Sequence, residues 1–476
     1  MPDRIDAGLH LAGLQCERRL WLEAHDPAGA DRAGLAERDA GARARAELRE
    51  LAASLLPEAE RDAVFAARGL EARADFLVRD SGGELGLRAV SAGARPSETD
   101  LDELAFVVFV AAAAGRELAS VAVLHPDPDY VRGPGPVDVR AFLRHTDVSR
   151  DVAFLARDLA ARVGDQARVL ASPEEPPVEP SPHCRRPRTC VFWKRCTRAK
   201  AADWIGYLPA LRPQTHAALA EAAVARIGDV PEDFPLSPPQ RNARRSAQRG
   251  GPIAAPDLAR ALAELGPAPD YLDFEAILPE IPRFPGTRPL EPVPFQWSAH
   301  LAAADAALEH AEYLADGSGD PRRGFAESLI AAFAARTQRV AVYSSFESEV
   351  LELQMRAFPD LAAALERVRS RLFDLLPVVR RSVYHPAFLG SFSLKRVAPV
   401  LAPGFGFDDL PGIADGGAAS RGWLALARGE LSAARAAALL AELRAYCARD
   451  SLALAVLLRA LRGLAAAATD ASHSSP

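Results

Sequence analysis

The chain is expected to fold as two α/β domains, and three observations carry that expectation. Its 476 residues exceed what one ordinary hydrophobic core covers. From Asp270 onward, short apolar runs alternate with helical stretches, the pattern of a strand–helix domain. Before that point four cysteines bracket the first two hundred residues. Cys16 stands alone near the start, and Cys184, Cys190 and Cys196 fall close together near the end.

In the first region, residues 35–56 carry leucines at helical spacing. Residues 73–78 and 85–90 read as the two strands of a hairpin, 102–115 as a buried helix and 118–124 as a further strand. Residues 174–182 form a Pro/Glu-rich loop that delivers the cysteine trio. The expected boundaries are a first domain over 1–206, a Pro/Arg-rich linker over 207–254, a second domain over 255–466 and a disordered tail over 467–476. The linker includes Arg241, Arg244, Arg245 and Arg249. In the second domain Asp257 caps a short helix. Residues 271–275, 294–301 and 339–343 read as strands, and 325–335, 347–358 and 432–465 as helices.

A hydrophobic content of 49% and a charged content of 25% are those of a soluble globular protein. The net charge of −6 excludes a globally basic nucleic-acid binder, so any such surface must be local. Lys194, Lys200 and Lys395 are the only lysines. No apolar leader follows Met1, and the longest apolar run, 104–114, is short of the roughly 20 residues that span a bilayer. A cytoplasmic location without a membrane partner is expected, with reduced thiols for which metal ligation is favoured over two disulfides. Four thiolates suffice for a [4Fe–4S] cluster or a structural zinc.

Asp273 and Glu275 lie two apart on an expected strand, so both side chains leave one face. On an apolar strand they repel unless a cation neutralises them, and oxygen ligands suit Mg²⁺ or Mn²⁺. A solvated strand edge is the alternative. Glu347 sits where a strand passes into a helix, Asp374 is embedded among apolar residues, and Tyr446 and Asp450 share a helix face four residues apart.

That order resembles the DEDD 3′–5′ exonucleases of the ribonuclease H-like superfamily. Asp273 and Glu275 match the first motif, Phe346-Glu347 the second and Tyr446-x-x-x-Asp450 the third in its tyrosine form. Over about 235–463 the chain resembles more closely the bacterial DUF2779 domain. The stretches are Leu272-Asp273-Phe274-Glu275, Pro294-Phe295-Gln296, Asp374-Leu375-Leu376-Pro377, Tyr384-His385-Pro386, Gly390-Ser391-Phe392-Ser393-Leu394-Lys395 and Tyr446-Cys447-x-x-Asp450. The resemblance implies a mixed-sheet domain performing two-metal phosphodiester hydrolysis. Asp273, Glu275, Glu347 and Asp450 would hold the metals and Tyr446 would orient the attacking water. Glu347 departs from the usual Asp, and Asp374 is the residue that could share its role. Lys395 would contact a phosphate as a point charge or close a salt bridge.

Cys16-x-x-Arg19 with Trp21-Leu22, the strand carrying Asp75 and the terminal cysteine trio resemble the Cas4/RecB-type PD-(D/E)xK nucleases. This implies a restriction-endonuclease-like first domain whose four cysteines hold a [4Fe–4S] cluster, with zinc as the alternative. Asp75 would be one ligand of the nuclease centre, but Ala89 and Ser91 occupy the positions of the second acid and the lysine. The first domain is therefore expected to bind rather than cut. Together these readings predict a metal-dependent nuclease, a 3′–5′ exonuclease on DNA or RNA with DNA the favoured partner, with its chemistry in the second domain. The competing class is a non-catalytic nucleic-acid-binding or scaffold protein with both sites vestigial. No protein partner is indicated.

Overall fold

A computed structural model describes residues 4–80, 82–303, 307–410 and 412–473, with backbone only from 469 onward. The architecture is mixed α/β and divides into two compact units. One holds the chain through Ala199 together with Pro279–Glu291, and the other holds Lys200–Leu278 and the chain from Pro292 onward.

In the first unit β1 (Glu60–Ala67), β2 (Leu70–Arg79), β3 (Leu85–Val90), β4 (Ser120–Pro126) and β5 (Leu143–Asp147) pair in chain order. All neighbours run antiparallel except β3 and β4, which are parallel because the helix Glu98–Ala113 crosses between them. A reciprocal Ser97–Asp100 capping box starts that helix. Alternation along β2 sends Leu77 to the core under this helix and Phe76 to the opposite core, where Leu48 and Ala52 of the helix Arg32–Ala53 meet it. The hairpin of β2 and β3 and the helices around it match the sequence expectation, whereas β1 and β5 were not anticipated.

Pro279–Glu291, expected within the second domain, packs instead with the first unit. Arg132 explains why. Its backbone N–H donates to the Thr287 carbonyl at 3.0 Å, its guanidinium to the Pro282 carbonyl at 2.6 Å, and its own carbonyl accepts from Gly286 at 2.8 Å.

In the second unit the two-residue strands β6 (Ile253–Ala254) and β12 (Val383–Tyr384) pair antiparallel. The main sheet joins β7 (Asp270–Ile277), β8 (Val293–Ala302), β9 (Leu308–Leu314), β10 (Val340–Val342) and β11 (Leu372–Asp374) in the order β11-β10-β7-β8-β9. β7, β8 and β9 form an antiparallel meander, and β10 and β11 run parallel to β7 on its other side. β7 is thus central. Leu272 and Phe274 enter a core shared with Phe325, Leu329, Val350 and Leu351 of the helices Arg322–Phe333 and Phe346–Ala357. The long helix Ala433–His473 packs against β7 and β8.

Three further expectations are corrected. The stretch 207–254 is folded, and its prolines begin helices instead of marking a mobile tether. Pro213 and Pro238 sit at the first positions of the helices Pro213–Glu221 and Pro238–Arg249. The second is boxed by Ser237 and Gln240 and ends at Gly250, whose φ of 73° lies in the left-handed region that glycine adopts without strain. Its arginines are partly consumed by the fold: Arg241 donates to the Leu236 carbonyl and Arg244, buried, to that of Pro231. The tail from 467 continues the last helix to His473, and 474–476 lie outside the described residues. Among the described residues, Ala433–Ala468 of this helix, and not 104–114, is long and apolar enough to cross a membrane; it lies against the sheet and carries Tyr446 and Asp450.

Candidate functional site

The alternation that buries Leu272 and Phe274 turns Asp273 and Glu275 to the other face of β7. Asp450, on the long helix, meets them there. Ligand oxygens of Asp273, Glu275 and Asp450 lie within 4.8 Å of one another. Glu275 and Asp450 are buried, Asp273 keeps a partly open face, and Asp450 Oδ1 is shielded with no hydrogen-bond partner.

Two residues of β8 attach the helix to the sheet behind these acids. Gln296, opposite Glu275, donates to the Leu443 carbonyl at 2.9 Å, and Ser298, opposite Asp273, shares a 2.8 Å hydrogen bond with Ser451. Both are fully buried. Gln296 belongs to the quoted Pro294-Phe295-Gln296 stretch, but its helix-holding role follows only from the fold.

Burial and mutual repulsion set the electrostatics. Glu275 is pushed up to about 8 by burial and by the Asp450 charge, with Lys395 acting against the shift. Asp273 is raised by burial and by the charges of Asp450, Glu275 and Glu347. Burial also raises Asp450, against the pull of Lys395 and Tyr446. The protein alone therefore does not stabilise these carboxylates as anions.

Glu347 is buried at the start of its helix, accepts from Ser344 Oγ at 3.0 Å, and is pushed up to about 7, mainly by burial. It lies close enough to raise Asp273 and Glu275, yet outside the 4.8 Å trio. Asp374 ends β11 and caps the next helix by accepting from Leu376 N at 2.9 Å; its charge is felt by Glu347. Asp374 thus stands beside Glu347 and apart from the trio.

Lys395 Nζ lies 3.4 Å from Asp450 Oδ2, 3.7 Å from the centroid of the Tyr446 ring, and donates to the Tyr446 hydroxyl. Burial and the facing acids raise Tyr446 far above the usual phenol range, so it stays protonated. The Gly390–Ser393 stretch delivers this lysine. A Cβ on Gly390, whose φ is 75°, would stand 2.5 Å from the Tyr207 carbonyl, and Ser393 begins the helix Leu394–Leu401.

Two neighbours escaped the sequence reading. Cys447 is fully buried and donates toward Asp273 Oδ2 at 3.5 Å. Asp415 caps the helix Gly416–Ala427, and its charge reaches Glu275 and Tyr446. An Asp-Gly-Gly helix start is a legible cap, but nothing in the sequence aims it at Glu275.

The first unit treats its candidate acid differently. Asp75, buried, meets Arg45 at 3.1 Å and Arg49 at 3.5 Å, and accepts from Val90 N at 2.9 Å. Ala89 is buried beside it on β3, and Ser91 donates to Asp100. Elsewhere in this unit all four framing cysteines line one small pocket as free thiols. Burial raises Cys184 to about 11, with the charges of Cys16, Cys190 and Cys196 adding to the shift, and burial raises Cys190 and Cys196 as well.

Residues 270–393 match the family model of DUF2779, a domain of unknown function. The DUF2779 match holds Asp273, Glu275, Glu347 and Asp374, while Lys395, Tyr446 and Asp450 follow it. No curated protein and no solved structure matches the chain.

Proposed function

We propose that the chain is a metal-dependent nuclease, a 3′–5′ exonuclease whose chemistry resides at the carboxylate trio of the second unit. The carrying observation is three acids from a central strand and a long helix drawn within 4.8 Å, with Asp450 Oδ1 orphaned. Buried like charges at that spacing fit a divalent cation with oxygen ligands, Mg²⁺ or Mn²⁺. Asp273, Glu275 and Asp450 would hold it, with Glu347 available to a second. Bound metal there supplies polarisation of the phosphate, a more acidic water and stabilisation of the leaving oxygen. Around it, the Tyr446 hydroxyl orients a water and Lys395 offers an ammonium to a non-bridging phosphate oxygen. The mixed sheet with the acid-bearing strand at its centre supports a ribonuclease H-like reading.

The first unit is read as a restriction-endonuclease-like domain that holds nucleic acid without cutting it, because arginines already occupy Asp75. Its four cysteines fit a [4Fe–4S] cluster. All four line one pocket, and zinc is the alternative occupant.

The deciding experiment follows degradation of end-labelled single- and double-stranded DNA and RNA with Mg²⁺ or Mn²⁺, beside Asp273→Ala. Activity from the labelled 3′ end that the variant lacks is expected. Its absence would favour a binding or scaffold protein. For the cysteines, a brown protein whose broad visible absorbance disappears in Cys190→Ala is expected, and a colourless protein with stoichiometric zinc would overturn the cluster.

A further inference from the structure

The segment 185–200 contains seven basic residues and no acid, in a chain whose net charge is −6 and which has only three lysines. Two of those lysines, Lys194 and Lys200, are in it. The structure sorts these cations into two sets. Arg195 faces inward and is spent on Glu175 and Asp26, as Arg18 nearby is on Glu175. Arg185, Arg186 and Arg188, between Cys184 and Cys190, are exposed, and among the described residues no carboxylate pairs with them.

Their loop is shaped from within. The Gln15 carboxamide nitrogen lies 3.2, 2.8 and 2.8 Å from the carbonyls of His183, Arg186 and Arg188. Cys190 N donates to the Cys184 carbonyl at 2.7 Å and closes the loop. With the carbonyls gathered on Gln15, the arginine side chains are left at the surface. The Arg185 guanidinium lies 4.8 Å from the centroid of the Trp193 ring, which holds its plane beside an aromatic surface.

We propose that this loop is a docking surface for a single-stranded nucleic acid, with Arg185, Arg186 and Arg188 on successive phosphates and the Arg185–Trp193 pair beneath a base. Unpaired guanidiniums match phosphate oxygens, and bases stack on aromatic rings and guanidinium planes. A lipid surface is the weaker match. It would need apolar side chains to insert, and the exposed large hydrophobics, Val64, Val131, Phe154 and Leu278, all lie outside the segment. The polymer's identity rests on the nuclease reading; the surface rests on the loop itself.

The test is fluorescence anisotropy of the full chain with a labelled oligothymidylate of about 20 nucleotides, in EDTA and across a salt series. Arg185→Ala/Arg186→Ala/Arg188→Ala is expected to weaken binding at least tenfold. It should also flatten the slope of log K against log salt by about 2, from about 0.7 per lost phosphate contact. The triple Arg→Lys variant should keep that slope, and because binding is read in EDTA, without turnover at the carboxylate trio, loss of the nuclease reading and loss of this surface separate. If the triple Ala variant misfolds by circular dichroism, Arg186→Glu alone takes its place with the same expected direction. Unchanged affinity and slope in the variants overturn the proposal. So does arginine-dependent sedimentation with phosphatidylserine vesicles when the oligonucleotide does not bind.

Discussion

Each unit buries acids on an interior strand, and they are neutralised in opposite ways. Asp75 on β2 is met by Arg45, Arg49 and a backbone N–H, so its charge is balanced by the protein. Asp273, Glu275 and Asp450 face one another, with Lys395 as the cation seen at hydrogen-bonding range. A buried carboxylate beside arginine is a finished structural element, whereas carboxylates beside carboxylates leave the site to be completed by something else. The contrast supports the proposal of chemistry in the second unit more than any single residue does.

The largest expected effect separates the two acids directly. Asp273→Ala should lower metal-dependent nuclease activity by about 10³-fold or more, since each tenfold is about 1.4 kcal/mol of barrier and metal-borne stabilisation is worth several. Asp75→Ala should leave activity per folded molecule within about twofold. Equal losses in an end-labelled assay would dissolve the contrast.

Stability should reverse that order. Arg45→Ala leaves buried Asp75 with only Arg49 and the Val90 N–H, and Glu103 without Arg45, so urea unfolding should show a loss of about 2 kcal/mol. Activity of the folded fraction should not change. A loss below about 1 kcal/mol would mean that the pair is not what satisfies Asp75.

The acid trio predicts a pH signature of intermediate size. Glu275 titrates near 8 in the folded protein against about 4.5 unfolded, and Glu347 near 7. Between those values the folded state holds more protons than the unfolded state, so stability falls as pH rises from about 5 to 8. Thermal melting in EDTA should show that decline, Glu275→Gln should flatten it, and Mn²⁺ should raise the wild-type midpoint most at the alkaline end. A melting temperature independent of pH over this range would contradict the electrostatic description of the site.

Much of this was legible beforehand where local rules suffice. The i, i+2 acids on β7 and the i, i+4 pair of Tyr446 and Asp450 follow from strand and helix periods, and the structure places each pair on one face. What escaped depends on tertiary partners. Nothing local says that Arg45 reaches Asp75 across thirty residues, or that Pro279–Glu291 is claimed by Arg132. The stretch 207–254 misled because proline marks both loops and helix starts, and only burial of Asn242 and Arg244 separates the two. Short strands such as β11 carry too few residues to show a period.

The smallest effect tests whether the acids also need mechanical support. Gln296 donates to the Leu443 carbonyl while its own Oε1 is buried without a partner. Gln296→Met keeps the volume and removes both the hydrogen bond, worth about 1 kcal/mol, and the orphaned acceptor, which costs a similar amount. Stability should therefore change by less than about 1 kcal/mol. The helix carrying Asp450 nonetheless loses a tie to the strand opposite Glu275, and small displacements of reacting groups are expensive. Activity should fall about threefold to tenfold, with a higher Mn²⁺ concentration for half-maximal rate. Were activity and metal response unchanged at unchanged stability, the acid trio would be held by β7 and the helix alone, and Gln296 would be packing.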